Sequence, residues 1–286
     1  MALMSIVSNT PSINAQRNLG KTQSRLTQNM GRLSSGLRIN RSGDDAAGLA
    51  ISEKLRSQTR SLAQAERNGM DGISMLQVAE GAMNEINGVL TRMRELAIQA
   101  ATDTNSDTER GFLDLEFQDL ISEIDRIAHV TEFNGAHLLN QTGGATLDFQ
   151  IGIENTSNDR VSVTLDQVTT DQLGDVSGVG GPANLRATSV GAKTAAQVAL
   201  DSIDDAIEDV VTARADIGTA QNRITTSINN LGSMRENLSA ADSRIRDVDV
   251  AEETSEMTRN SILMQAGVAV LAQANQSPSM ALSLIG

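Results

Sequence analysis

Between Ile203 and Val248 the chain keeps one rhythm. Ile203, Ala206, Val210, Ala213, Ile217, Ala220, Ile224, Ser227, Leu231, Met234, Leu238, Ala241, Ile245 and Val248 follow one another at spacings of three and four, and only Ser227 is polar. Such spacing gathers all fourteen side chains on one narrow stripe of an α-helix. A stripe held to that period for so long is buried by another long helix wound against it. At ~1.5 Å per residue the helix runs about 70 Å, so the fold must supply partners of similar length.

Matching stripes occur upstream. Leu76, Ala79, Met83, Ile86, Leu90, Met93 and Ala97 are apolar at every step of a helix expected over about 46–101. The polar run 102–108, with Asp103, Asn105 and Asp107, reads as a turn. After it Leu113, Phe117, Leu120, Ile124 and Ile127 form the next stripe, which makes the two segments an antiparallel helical hairpin. Nearer the start, Leu19, Gln23, Leu26, Met30, Leu33 and Leu37 repeat the pattern with Gln23 as the one polar member. Five apolar side chains fall far short of offsetting the backbone entropy of ordering that segment, so it needs neighbours.

Composition agrees with thin, close helix packing. The chain has four Phe, no Trp, Tyr or Cys, and prolines only at positions 11, 182 and 278, which leaves two long tracts free of the strongest helix breaker. A net charge of -13 with no visible basic stripe argues against a nucleic-acid partner. The first residues, MALMSIVSNTPSINAQRNL, lack the basic and continuous apolar regions of a cleavable secretory signal.

Two stretches break the helical texture. Residues 34–48 carry three glycines, with Asp44 and Asp45 just ahead of Ala46, which reads as a connector followed by a helix start capped by carboxylate. The Phe133-Asn134-Gly135 turn then opens a non-helical region over about 136–190. There Leu147–Ile151 and Val161–Leu165 alternate apolar and polar residues across a turn-rich link, the pattern of a β-hairpin. Residues 171–182 read as an irregular loop.

The C-terminal stretch is different in kind. Ile262–Ala274 reads ILMQAGVAVLAQA, ten of its thirteen residues are apolar, and no charge follows Arg259. A helix apolar all round must be surrounded by apolar surface. Its longest unbroken apolar run is the five residues 268–272, far short of the roughly 20 that span a bilayer, so no membrane insertion is expected and protein is its solvent.

Chemistry is scarce. There is no Walker A pattern, nucleophile elbow, HExxH or cysteine site. His129 and His137, the only histidines, have no consistent carboxylate partner and read as solvated residues. Asp44 and Asp45 lack further ligands for a metal. No enzyme, cofactor or metal is expected. Two classes remain on the residues alone: a self-assembling structural subunit whose terminal segments meet other copies, and a coiled-coil scaffold whose ends close on each other. The extent of the charge-free end favours the first.

Several motifs, in this order, resemble bacterial flagellins. They are Leu33-Ser-Ser-Gly-Leu-Arg-Ile-Asn40 with Asp44-Asp-Ala-Ala-Gly48, Arg92-Met-Arg-Glu-Leu-Ala-Ile-Gln99, Glu123-Ile-Asp-Arg126, Phe133-Asn-Gly135, Ser243-Arg-Ile-Arg-Asp247 and the stretch Ile262 to Gln276. They cover about 19–140 and 195–286. The resemblance implies a mainly α fold, a long antiparallel coiled-coil-like bundle of paired N- and C-terminal segments with a small β-hairpin insertion. It implies an inner, channel-lining domain of residues 1–45 and 249–286 and a middle domain of 46–248, with the hairpin region 136–190 and no large outer domains.

The function it implies is self-assembly into the flagellar filament for motility; a hook-filament junction protein of the same superfamily and a non-flagellar coiled-coil scaffold are the alternatives. Subunit packing is then expected at Leu19, Leu26, Met30, Leu33, Leu37, Ile262, Leu263, Val268, Val270 and Leu271. Recognition by the Toll-like flagellin receptor is expected on an outer face at Arg92, Leu96 and Glu116. Further implied partners are other flagellin subunits, an export chaperone on the C-terminal segment, and hook-associated and cap proteins. The implied location is the extracellular filament, reached through the flagellum-specific type III apparatus.

Overall fold

The computed structural model describes residues 8–141, 145–174 and 184–285, with side chains as far as Gln276. Five helices are described: α1 (Thr10–Ser35), α2 (Ala46–Ala101), α3 (Asp107–Val130), α4 (Lys193–Arg246) and α5 (Val250–Ile285). Four strands lie between α3 and α4: β1 (Glu132–Phe133), β2 (Ala136–His137), β3 (Ala145–Gln150) and β4 (Arg160–Leu165). The chain divides into two compact units, one of residues 60–235 and one of 1–59 with 236–286.

The 60–235 unit holds a continuous apolar core. All seven residues of the expected α2 stripe, Leu76 through Ala97, are fully buried, and Ile203, Ala206, Val210, Ala213, Ile217, Ala220 and Ile224 of α4 join them. Beyond Ile224 the α4 stripe is only partly covered, and Met234 is exposed. Glycine fixes how closely α2 and α4 approach: a Cβ on Gly69 would sit 2.9 Å from Ile228 Cγ1. The two helices run antiparallel, since Arg94 pairs with Asp204 while Glu66 pairs with Arg235.

On α3 the buried line is Phe117, Ile121, Ile124 and Ala128, whereas the expected Leu113, Leu120 and Ile127 are half-buried beside it. The α2–α3 turn is stitched by buried Arg110, whose guanidinium donates to the Ala100 and Thr102 carbonyls and to Asp107. Ser106 and Glu109 close a capping box at the start of α3.

The expected hairpin is present as β3 and β4, antiparallel with Leu147 opposite Val163 and Phe149 opposite Val161. Val161, Val163 and Leu165 are buried while Arg160, Ser162 and Thr164 face outward, the alternation that period two demands. A Cβ on Gly72 would lie 2.8 Å from the Phe149 ring, so the bare α2 backbone is what admits the hairpin. A second, two-residue ladder, β1 with β2, was not expected. It forms because Asn134 and Gly135 both take positive φ, 51° and 80°, the geometry of a tight hairpin turn. Of the expected 171–182 loop, residues 175–182 lie outside the described residues. The segments flanking that loop are fastened to α3: Asp125 accepts from the Thr170 amide and hydroxyl, and Asp114 from the Ser189 hydroxyl and the Val190 amide.

In the other unit α1 lies antiparallel against α5. Asn9 donates to the Ala274 carbonyl and Ser12 to Asn275, whereas Asn29 and Arg32, at the other end of α1, meet Glu253 at the start of α5. Gly36 ends α1 in the left-handed region at φ 71°. The chain then forms a short antiparallel bridge, Leu37 to Asp247, with the Arg38 amide donating to the Arg246 carbonyl. The two aspartates before α2 divide their labour. Asp45 caps α2 through the Gly48 amide at 2.9 Å, as the sequence predicts, while Asp44 accepts from the Arg41 and Asn40 amides and thereby orders the preceding turn. Those amides, Arg41 first, hold the Asp44 carboxyl below the usual carboxylate range.

Candidate assembly surface

The α1/α5 pair is built on a seam that differs from the expected one. Ser12, Ala15, Leu19, Thr22, Leu26, Asn29 and Leu33 are the covered side of α1. Leu19, Leu26 and Leu33 belong to both seams, but Thr22 and Asn29 occupy the alternate positions where Gln23 and Met30 were expected. The facing line on α5 is Glu253, Met257, Asn260, Met264, Gly267, Leu271 and Ala274.

The rotation has a polar cause. Asn29 donates to Glu253 and accepts from the Asn260 amide at 2.9 Å, and all three side chains are buried; Arg32 approaches Glu253 at 3.7 Å. A buried carboxylate requires such partners. With Asn29 turned inward to supply them, Met30 is turned out. The signal was legible, since 12-15-19-22-26-29-33 keeps the three-four spacing, but it required reading Asn29 as a core residue.

The surface left over is apolar. Met30, Ile262, Leu263, Val268 and Val270 are between 49 and 60% exposed; Met30 lies off the seam on α1 and the other four lie off it on different sides of α5. Leu19, Leu26, Leu33, Leu37 and Leu271 are half-buried. The close approach of Leu19 to Gly267, where a Cβ would meet Leu19 Cδ1 at 3.0 Å, shows how the covered face is spent within the chain. Of the ten expected packing residues, five thus stand on or beside the internal pairing and five point away from it. Among the described residues no helix is long and apolar enough to cross a membrane.

The charges of α1 are all of one sign. The charged residues of α1 are Arg17, Lys21, Arg25 and Arg32, without a single carboxylate. At ~100° per residue they fall within an arc of about 80°, so α1 does carry a basic stripe that the overall acidity hides.

In the 60–235 unit, Arg92 on α2 is exposed and donates through Nε and Nη2 to Glu116 on α3, at 3.0 and 2.9 Å, while its Nη1 reaches Glu95. Those carboxylates, Glu95 first, raise the guanidinium's pKa. Leu96, expected with them on an outer face, is instead fully buried. The reason is that this end of α2 is flanked on both sides, Arg92 reaching α3 and Arg94 reaching Asp204 on α4, so the buried stripe widens to take in Leu96 as well as Met93 and Ala97. His129 and His137 are both exposed, and among the described residues no group of three potential metal ligands converges.

Comparison with known proteins bears on what such a pair of helices belongs to. Residues 6–143 match the bacterial flagellin N-terminal helical region and residues 200–285 the bacterial flagellin C-terminal helical region. The chain is 46% identical over 282 residues to a flagellin of Halalkalibacterium halodurans and 43% identical over 305 residues to a flagellin of Bacillus subtilis, covering 99% of this chain and 100% of each relative. In fold it is similar to a solved chain described as a flagellar hook-associated protein from Vibrio parahaemolyticus. That match has TM-score 0.58 at 15% identity and covers 71% of this chain and 100% of the other.

Proposed function

The chain belongs to the bacterial flagellin family and is a structural subunit of the extracellular flagellar filament, and on that premise we propose that its polymerising surface is the apolar shell of the α1/α5 pair. Full-length identity to flagellins sets aside the unrelated scaffold, and the hook-associated likeness is one of fold. The observation that carries the proposal is that Ile262, Leu263, Val268 and Val270 stay exposed on a helix that already has a partner. Water is a poor neighbour for so much apolar surface on one short stretch, and other copies of the same pair are the neighbours a filament supplies.

In this reading residues 1–45 and 249–286 form the inner domain that lines the channel, and 46–248 form the middle domain. The compact unit of 1–59 with 236–286 supports a division of this kind. An export chaperone covers the same α5 surface before assembly, the protein leaves through the flagellum-specific type III apparatus, and hook-associated and cap proteins adjoin the filament's ends. Purified protein in salting-out buffer should form long tubular fibres by electron microscopy. Deleting residues 260–286 should abolish the fibres and leave the helix content of the 60–235 unit intact; fibres formed by the truncated protein would overturn the role of α5.

Recognition by the Toll-like flagellin receptor is proposed through Arg92 and Glu116, which share one exposed ion pair across α2 and α3. Arg92→Ala and Glu116→Ala should each weaken binding of depolymerised subunit to the receptor, and unchanged binding in both would remove the assignment.

A further inference from the structure

The charges of the α1/α5 pair are mismatched along its length. Arg17 and Lys21 lie on the part of α1 that runs beside the charge-free part of α5, since Leu19 meets Gly267 and Ser12 meets Asn275. Continuing that antiparallel register sets Arg17 level with about residue 269 and Lys21 with about residue 265, where α5 has nothing ionic to offer. Neither cation has a carboxylate within 4.0 Å among the described residues, and Arg17 is held only by Asn14. The acidic end of the pair is the start of α5, where Glu252 is exposed with no cation within 4.0 Å among the described residues and Glu256 is answered by Arg259 on its own helix. Arg25 and Arg32 are closer to home, lining one groove with Arg38, Arg244, Glu252, Glu253 and Glu256. Arg17 and Lys21 on α1 and Glu252 and Glu256 on α5, none of which has an ion-pair partner on the other helix among the described residues, therefore stand at different heights on the same rod.

We infer that a second copy of this chain answers them, docking its α5 start against the α1 stripe of the first with a stagger of about 20 Å along the helix axis. The stagger follows from the numbering. Lys21 is level with about residue 265 and must be brought level with Glu252, about 13 residues away at ~1.5 Å each. The same slide sets Arg17 opposite Glu256, because both pairs are separated by four residues on their helices. Lys21 and Arg17 lie about 130° and 170° round α1 from the seam with α5, so the internal pairing leaves these two cations free, whereas Arg32 is engaged by Glu253. Such a contact is heterologous, a different patch on each copy, and contacts of that kind propagate into open helical assemblies with a fixed direction. In this arrangement the apolar shell supplies the attraction and the charged stripe sets the axial register and polarity of neighbouring subunits.

The inference rests on the reading that the α1/α5 pair is the polymerising unit, and charge reversal separates the two. Four full-length proteins are compared: the parent, Arg17→Glu/Lys21→Glu, Glu252→Lys/Glu256→Lys, and all four changes together. The measurement is the concentration of soluble subunit coexisting with fibres, with far-ultraviolet circular dichroism of each subunit as the check on folding. Each reversed pair alone should raise that concentration at least about threefold at low salt, and less at high salt. The fourfold variant should return to within about twofold of the parent. An equimolar mixture of the two reversed proteins should form fibres at concentrations where neither does alone, because each then offers the charge the other lacks. Unchanged assembly of either reversed pair, or loss that neither the fourfold variant nor the mixture restores, overturns the inference. A parent that forms no fibres overturns the underlying reading instead.

Discussion

Truncating the exposed apolar side chains of α5 separates assembly from folding, because those atoms touch little inside the subunit. Ile262→Ala removes three carbons, and at about 0.8 kcal/mol for each buried carbon their transfer amounts to about 2.4 kcal/mol. Ile262 is 60% exposed in the isolated chain, so the part left for a neighbouring subunit to bury is about 1.4 kcal/mol, a tenfold rise in the soluble concentration that coexists with fibres. Val270 is 57% exposed, and Val270→Ala, with two carbons removed, gives about 0.9 kcal/mol or roughly fourfold by the same reasoning.

The two positions are about 12 Å apart along the helix, far enough for the effects to add to about fortyfold in the double variant. Sedimentation of fibres followed by assay of the supernatant measures this directly, while the thermal unfolding of depolymerised subunit should stay within about 0.5 kcal/mol of the parent. Leu271→Ala is the contrast, since Leu271 is on the seam and its loss should weaken the α1/α5 pair as well as the fibre. A double variant whose soluble concentration stays within twofold of the parent would show that α5 does not use this surface in the polymer.

Three further outcomes test the interior and its electrostatics. Leu90→Ala, at a fully buried position in the middle of the α2 stripe, should cost about 2–5 kcal/mol in urea unfolding of the subunit. Gly69→Val should cost about 1–3 kcal/mol by forcing α2 and α4 apart where its Cβ would meet Ile228, and a second change, Ile228→Ala, should recover part of the loss. Lys193 beside Asp103, and the amide and hydroxyl of Ser106 on Glu109, hold both carboxyls below their ordinary values. Their stabilisation is therefore complete above the ordinary carboxylate range and is lost as pH falls through that range to the depressed values. The thermal midpoint should drop over that acid window, and Asp103→Asn with Glu109→Gln should flatten the drop.

Strong periodicity was the most legible feature of the chain. Leu76 to Ala97 and Ile203 to Ile224 are fully or almost fully buried where the three-four spacing put them, because a stripe with no polar member has one low-energy way to face. The hairpin at β3 and β4 was equally readable from alternation. Where the stripe contained a choice, sequence alone misjudged it. On α1 both 23/30 and 22/29 continue the line through Leu19, Leu26 and Leu33, and a preference for apolar residues selects Met30. The fold selects Asn29, since Glu253 and Asn260 on α5 need a buried partner and that need is visible only once the two helices are side by side. Leu96 went astray for a related reason. Its burial depends on α3 and α4 flanking α2 from two sides, which a single-helix pattern does not encode.

By itself, then, the sequence determined the long helices, the β3/β4 hairpin and the existence of an apolar end too extensive for one partner, because these are set by residue spacing and by the cost of exposing side chains to water, while the β1/β2 ladder and the start of α1 at Thr10 were not read from it. Tertiary structure alone decided which face of α1 is covered and how far the buried face of α2 extends. Rotation of a helix about its axis is settled by the hydrogen bonds and close approaches of its partner: Asn29 to Glu253 and Asn260, Leu19 to Gly267, Arg92 to Glu116. The outward-facing Met30, Ile262, Val268 and Val270, and the unanswered Arg17 and Lys21, are products of that rotation.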